Sequence, residues 1–499
     1  MSSPWRPGNA SSPALPEHSP QSRKSAILCG LVNRESKEFK GKEMSKSAGL
    51  NRRNFLKGAS MTALAGAIGA GTASAATTVA GAGGPPPYLK NGKYDFDTIY
   101  SRVGSDCIKW DSQITEFGDK VEVGMGIADM DFRAAPCIGE AMAKRMQHEN
   151  WGYLNGEAYA AFRETIADWN MERYDLELDS KSIVIATGVH PGLIATLKTF
   201  SPPASKVLMM TPTYNGFYSD LRHSRTIKNE SVMIFENGEY SIDWDDFEAR
   251  MTPDTQSLLL CNPQNPTGNV WSEEDLLRIG ELCLKHQVFV LADEIHGDFV
   301  RVGHKFIPFA SLPDKDIVNN SLSFKAITKT FSMPASKNAY FFSTNKVALE
   351  RVKKNHQAGI NTLGIVANEA AYKHGGDWLD QLLPYIDANH QFVEDFLKEN
   401  LPQVGYTRAQ GTFLSWLHFD GIMEEVGAVE KSAASQMTDN PMTVTQAFEA
   451  WLVENSGVQL NDGEGYGAGG ESCMRMNIGC SRQMLNKALN NMAEAISKV

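Results

Sequence analysis

Cysteine is scarce in this 499-residue chain: there are seven, scattered, with no CxxC pair and no zinc-like spacing. That pattern excludes a Cys-built zinc site or a dithiol redox motif as the organising chemistry. Long basic runs are absent beyond the first sixty residues, and the formal net charge is -11. Nucleic acid is therefore not an expected partner. No internal repeat is visible, which excludes a repeat architecture. What is present is a 42% hydrophobic, 21% charged composition, enough for a sizeable core in two or three domains, which can be interleaved.

The amino-terminal part is set apart by composition. "NRRNFLK" (Asn51 to Lys57) precedes the weakly apolar "GASMTALAGAIGAG" and an A-x-A site at Ala73-Ser74-Ala75. This order of charged, apolar and small-residue segments is that of an export signal. Arg52 and Arg53 with Phe55, Leu56 and Lys57 resemble the twin-arginine signal, so export of a folded precursor to the periplasm by that machinery is expected. The apolar segment is too short and too rich in Gly and Ala to span a membrane. Residues 1–43 are Ser- and Pro-rich without periodicity, and Met44 is expected to be the true start. Residues 1–75 carry 11 Lys and Arg against 4 Asp and Glu, which leaves the remainder at a formal charge of -18. Residues 44–75 are thus assigned to the signal and 76–93 to a linker.

Folded sequence begins near Tyr94. From about Ala135 to Ala370, short β-rich runs ("SIVIAT", "KVLMMT", "SLLLCN", "VFVLAD") alternate with helical stretches such as "SEEDLLRIGELCLKHQ", where Ser272 is placed as the N-cap. Continuous apolar strands spaced by helices predict an α/β domain with a mostly parallel, buried sheet. Ligands gather at the carboxyl ends of such strands. Here those ends are polar: Thr187-Gly188, Thr211 to Tyr214, Asn262 to Asn265, and Asp293 to His296. The expected division is 94–134 and 376–499 as two parts of a smaller α+β domain around a large domain at 135–375.

"CNPQNPTGNVW" (Cys261 to Trp271), "LADEIHGDF" (around Asp293) and "KTFSMPA" (from Lys329) follow one another in order. Asp293 ends an apolar run, where a carboxylate must be paired or hydrogen-bonded. Together with "IADMDF", "HKFIPFASL" and "MRMNIGCSR", the set resembles the fold-type I pyridoxal-phosphate enzymes of the class I/II aminotransferase superfamily, and within it the MalY/PatB cystathionine β-lyase-like branch. The resemblance covers roughly residues 94–498.

The resemblance implies a large domain with a mostly parallel seven-stranded sheet, pyridoxal 5'-phosphate as cofactor, and the following roles. Lys329 is the covalent anchor of the cofactor, and its freed amine then takes the α-proton of an amino-acid substrate. Asp293 faces the pyridine nitrogen and Asn265 the ring 3-oxygen. His296 stands where many aminotransferases have Tyr; its bland alternative is a structural histidine. Tyr214 stacks on the ring, or is a core aromatic, or both. Backbone N–H groups of Gly188, Val189 and His190 cradle the phosphate, joined by Thr328 and by Lys337 unless the latter is a surface lysine. Tyr153 reaches a phosphate across a homodimer interface, or merely packs. Arg475 pairs with the substrate carboxylate, or is a buried structural arginine.

Four positions depart from the branch: Ala326 where a phosphate-binding Ser is common, Gly126 where an aromatic is usual, Phe413 for Tyr, and Asp462 for Pro. Gly126 is expected to enlarge the substrate pocket. The implied reaction is carbon–sulfur β-elimination from a cysteine S-conjugate or S-oxide. An aminotransferase is the alternative. A non-catalytic binding protein is a third reading, disfavoured because Lys329 and Asp293 are both present.

Overall fold

The computed structural model describes residues 88–499. The signal, the start at Met44 and most of the linker lie outside the described residues. Seven strands form one sheet: β1 (Val184–Ala186), β2 (Lys206–Thr211), β3 (Ile227–Val232), β4 (Thr255–Cys261), β5 (Phe289–Asp293), β6 (Ser321–Lys325) and β7 (Ala339–Phe342). Their order is β1-β7-β6-β5-β4-β2-β3. The neighbours β6-β5-β4-β2-β3 pair in parallel, while β7 runs antiparallel to both β6 and β1. This is the expected α/β fold with a mostly parallel seven-stranded sheet. Strands β4 and β5 are buried almost throughout, which is why they read as unbroken apolar runs rather than as an alternation.

The connecting helices that matter for the site are α1 (Val189–Phe200), α2 (Gly216–Ser224), α3 (Glu273–Lys285) and the single turn α4 (Ile327–Thr330). Helix α3 starts where expected. The Ser272 side chain accepts from Asp275 N, and the Asp275 side chain accepts in return from the Ser272 backbone. Leu276, Ile279, Gly280 and Cys283 form its buried stripe. A Cβ on Gly280 would lie 2.3 Å from Ile317 Cγ2, so this helix packs at a distance only glycine permits. Each large apolar side chain in such a stripe contributes about 1.5–3 kcal/mol through burial.

A second sheet collects β8 (Gly405–Tyr406), β9 (Leu414–His418), β10 (Asn461–Asp462) and β11 (Cys473–Asn477) in the order β8-β9-β11-β10, all antiparallel. Val123–Gly124, early in the chain, pairs in parallel with Val458–Gln459 beside it. That pairing brings the segment after Gly124 to β11 and so to the edge of the site. Among the described residues no helix is long and apolar enough to cross a membrane.

Candidate functional site

The polar ends of β1, β2, β4 and β5 converge, as they should in a parallel sheet whose carboxyl edge is left open. A cavity of about 260 Å³ there is lined by Gly188, Val189, His190, Tyr214, Asn265 and Asp293, and also by His296, Thr328, Lys329 and Lys337. Ten of the twelve residues singled out from sequence therefore share one cavity. Arg475 lies directly behind it: its Nη1 donates to Asn265 Oδ1 at 3.1 Å and its Nη2 to the Gly126 carbonyl at 2.8 Å. Tyr153 is the exception. At 108% relative exposure it contributes nothing to the cavity of its own chain.

Helix α1 opens onto the cavity at Gly188, whose backbone is extended and which provides no side-chain cap. The first N–H groups of a helix lack intrahelical partners. Here they are left for an anion in the cavity.

Asp293 is buried at the last position of β5, and its Oδ1 accepts from Ile295 N at 3.2 Å. Burial pushes its pKa up to about 6, against the pull of the His190 and Lys329 cations. Lys329 sits on α4, and its Nζ donates to the Ala128 carbonyl at 2.7 Å. Burial, then the Arg475 guanidinium, push its pKa down to about 8. A lysine so placed is an amine ready to act as a nucleophile or base near neutral pH. His296 is buried with its Nδ1 unpartnered and its ring edge-on to Phe413 at 5.9 Å. Burial, Lys329 and Arg475 hold it well below the ordinary imidazole range, so the ring is neutral.

Two features escaped the sequence reading. The first is Asp220 on α2, buried against His190: both carboxylate oxygens meet His190 Nδ1, at 2.9 and 2.8 Å. The hydrogen bond that His190 Nδ1 donates to Asp220 raises the His190 pKa despite partial burial, and His190 Nε2 faces the Tyr214 hydroxyl at 3.3 Å. A signal for Asp220 did exist. It shares the buried stripe of α2 with Phe217, Leu221 and Ser224, an acid in an apolar position.

The second is the loop 126–131, whose backbone carbonyls hold the site together. Gly126 O receives Arg475 and Ala128 O receives Lys329, while Asn477 Nδ2 donates to Ile127 O at 2.6 Å and to Asp129 O at 2.7 Å. The loop is fixed from behind by Asp131. Its carboxylate takes Lys109 Nζ at 2.7 Å, Trp110 Nε1 at 3.0 Å and Arg102 Nη1 at 3.2 Å. Ser332 ties the same loop to α4 by accepting from Met130 N at 2.7 Å.

The expectation for Gly126 is corrected. A Cβ there would lie 2.3 Å from Asn461 Oδ1 and 2.6 Å from Gln459 Nε2. Two amide side chains fill the space that an aromatic would take, so Gly126 does not enlarge the pocket. Lys325, for which the sequence offered no role, is buried with its ammonium 3.5 Å from the centre of the Tyr174 ring.

The residues fit pyridoxal phosphate by their own chemistry. They include a helix start open to an anion, a buried carboxylate for a ring nitrogen, an aromatic side chain, an orphaned imidazole nitrogen, and an amine of depressed pKa.

Comparison with known proteins agrees. The family model for aminotransferase class I and II matches residues 120–492. Cystathionine β-lyase PatB of Bacillus subtilis is 33% identical over 408 residues, covering 81% of this chain and 100% of the relative. Protein MalY of Escherichia coli is 29% identical over 416 residues, with 81% and 100% covered. The crystal structure of the PLP-bound C-S lyase from Staphylococcus hominis superposes with a TM-score of 0.72 at 27% identity, covering 81% of this chain and 99% of that one. With three quarters of its length inside the family model and a full-length lyase relative at one-third identity, the chain belongs to the class I and II aminotransferase family of pyridoxal-phosphate enzymes.

Proposed function

We propose that this protein is a pyridoxal-phosphate-dependent carbon–sulfur β-lyase. Its substrate is a cysteine S-conjugate or S-oxide, and its products are a thiol or oxidised-sulfur species, pyruvate and ammonia. The observation that carries the reading is the meeting of Lys329, Asp293 and the open start of α1 in one cavity, with Arg475 directly behind it, in a chain whose full-length relatives include a cystathionine β-lyase.

Gly188, Val189 and His190 would hold the cofactor phosphate with Thr328 and Lys337. Asp293 would hold a proton on the ring nitrogen, Asn265 and His296 would bond the ring oxygen, and Tyr214 would cover the ring face. When bound, the cofactor supplies an electron sink for charge developing at the substrate α-carbon. Lys329 takes the proton from that carbon, and a pKa of about 8 leaves a useful fraction of its amine free near neutral pH. Arg475 binds the substrate carboxylate and is held in place by Asn265 and Gly126 O. A neutral His296 leaves the cations to Lys329 and Arg475 and does not compete for the carboxylate.

The same proposal takes the working unit as a homodimer in which Tyr153 reaches the phosphate held by the other subunit; its complete exposure on one chain supports this. It also takes the chain as exported to the periplasm through the twin-arginine signal at Arg52 and Arg53, with cleavage after Ala75.

The test mixes purified holoenzyme with S-substituted cysteines and assays pyruvate. Stoichiometric pyruvate is expected. Amine exchange dependent on a keto acid, without pyruvate, would convert the reading to aminotransferase. A visible cofactor band with no turnover on any amino acid would convert it to a binding protein.

A further inference from the structure

Asp220, His190 and Tyr214 run in file from the interior to the cavity at Lys329. Asp220 is innermost, its side chain 2% exposed, and it accepts from His190 Nδ1 at 2.8 Å. The other ring nitrogen of His190, Nε2, meets the Tyr214 hydroxyl at 3.3 Å. His190 and Tyr214 both line the cavity, and the His190 side chain is 42% exposed, so the file ends in space that substrate and water can enter. A carboxylate that orients an imidazole, which in turn bonds a hydroxyl, is an arrangement for moving a proton at that hydroxyl.

The contacts fix which way the proton moves. Asp220 keeps a proton on Nδ1, so Nε2 is the nitrogen that gains and loses one. While Nε2 holds its proton it donates to the Tyr214 oxygen. The hydrogen bond to Asp220, joined by the charges of Asp220 and Asp293, raises the His190 pKa against burial and the Lys329 cation. Burial pushes Asp220 up, against the pull of His190 and His223. Tyr214 does not ionise by itself, because burial, against the Arg475 charge, pushes its pKa up to about 12. It can give a proton only by receiving another in the same step.

The other titratable groups that face this file are committed. Lys329 takes the α-proton, Asp293 is set for the ring nitrogen, and burial keeps His296 neutral. A sulfur that departs from carbon as an alkyl thiolate, with an ordinary thiol pKa of about 8.5, carries charge that the enclosed cavity disfavours.

We propose that Tyr214 protonates the departing sulfur and that Asp220 and His190 are positioning residues that resupply its proton. The proposal rests on the β-elimination reading above. The carbon–sulfur bond breaks with its electron pair going to sulfur, and the pair freed at the α-carbon when Lys329 takes the proton becomes the Cα–Cβ double bond. Sulfur takes the Tyr214 hydroxyl proton, the Tyr214 oxygen takes the Nε2 proton, and His190 is left neutral with Nδ1 still on Asp220. The half-exposed imidazole then regains a proton from water.

Pyruvate release by the holoenzyme, measured with two substrates, tests this. S-ethyl-L-cysteine releases a thiolate that needs a proton, and S-(p-nitrophenyl)-L-cysteine one that is stable without it. His190→Gln should lower kcat for the ethyl substrate by about 100-fold, and for the nitrophenyl substrate by a factor about tenfold smaller. Tyr214→Phe, which keeps the ring, should discriminate in the same way. For the wild type, only the ethyl substrate should lose kcat as pH rises through the raised His190 pKa, and Asp220→Asn should bring that loss to lower pH. In the apoprotein, Tyr214→Phe should lower the His190 pKa read by imidazole NMR titration, because protonated Nε2 loses its acceptor. If His190→Gln does not fold by circular dichroism, Tyr214→Phe and Asp220→Asn decide. Equal losses for both substrates, an ethyl rate that the variants leave intact, or a His190 titration unmoved by Tyr214→Phe overturns the proposal and leaves the lyase reading standing. No pyruvate from either substrate with the wild-type enzyme overturns that reading and the proposal with it.

Discussion

Replacing Lys329 by methionine should make the cofactor-free protein more stable, not less. Burial and Arg475 bring the amine from its ordinary pKa of 10.5 to about 8. Between those values the unfolded chain holds a proton that the folded chain does not, so stability rises with pH across that interval. Below about pH 8 both states are protonated, and the folded state carries the whole penalty of a charged amine in a poor environment. The full shift corresponds to about 3.4 kcal/mol. The amine opens onto a cavity that water can enter, which reduces the effective penalty to about 2 kcal/mol. Losing the hydrogen bond to Ala128 O takes back about 1 kcal/mol. Apo Lys329→Met should therefore be about 1 kcal/mol more stable than apo wild type at pH 7, with the gain shrinking toward pH 10. Urea denaturation followed by far-UV circular dichroism, on both apoproteins at both pH values, measures it. A variant no more stable at pH 7, or a gain independent of pH, would refute the placement of a desolvated amine here.

Three other outcomes follow from the site. Gly126→Ala should destabilise the protein by about 1–3 kcal/mol, measured by thermal melting, because its Cβ collides with Asn461 and Gln459. Asp220→Asn should lower the His190 pKa, read from the imidazole NMR titration; the stability lost should be largest below the ordinary imidazole pKa and fade as pH rises through the raised one. Arg475→Lys should lower kcat/KM roughly 100-fold, because an ammonium cannot hold Asn265, Gly126 O and a carboxylate in one plane; steady-state kinetics with rescue by free guanidine would confirm the geometry.

Four of the seven strands of the large sheet, β1, β2, β4 and β5, were legible as continuous apolar runs whose polar ends marked the site edge, whereas β3 is largely exposed and carries no such run. Helix α3 was legible through its cap, since Ser272 and its partner are three residues apart. What stayed hidden depends on residues far apart in the chain. His190 and Asp220 are thirty residues apart. Gly126 was misjudged for the same reason. Its neighbours Gln459 and Asn461 come from the other end of the chain, brought there by the pairing of Val123–Gly124 with Val458–Gln459.

"IADMDF" looks like a side-chain signature, yet what Lys329 and Asn477 take from it is three main-chain oxygens, and Arg475 takes a fourth from Gly126 just before it. Every residue type supplies the same oxygen, although at Gly126 only glycine fits. The stretch can therefore drift in identity at Ile127 and Ala128 while its length cannot change by even one residue without throwing every grip out of step.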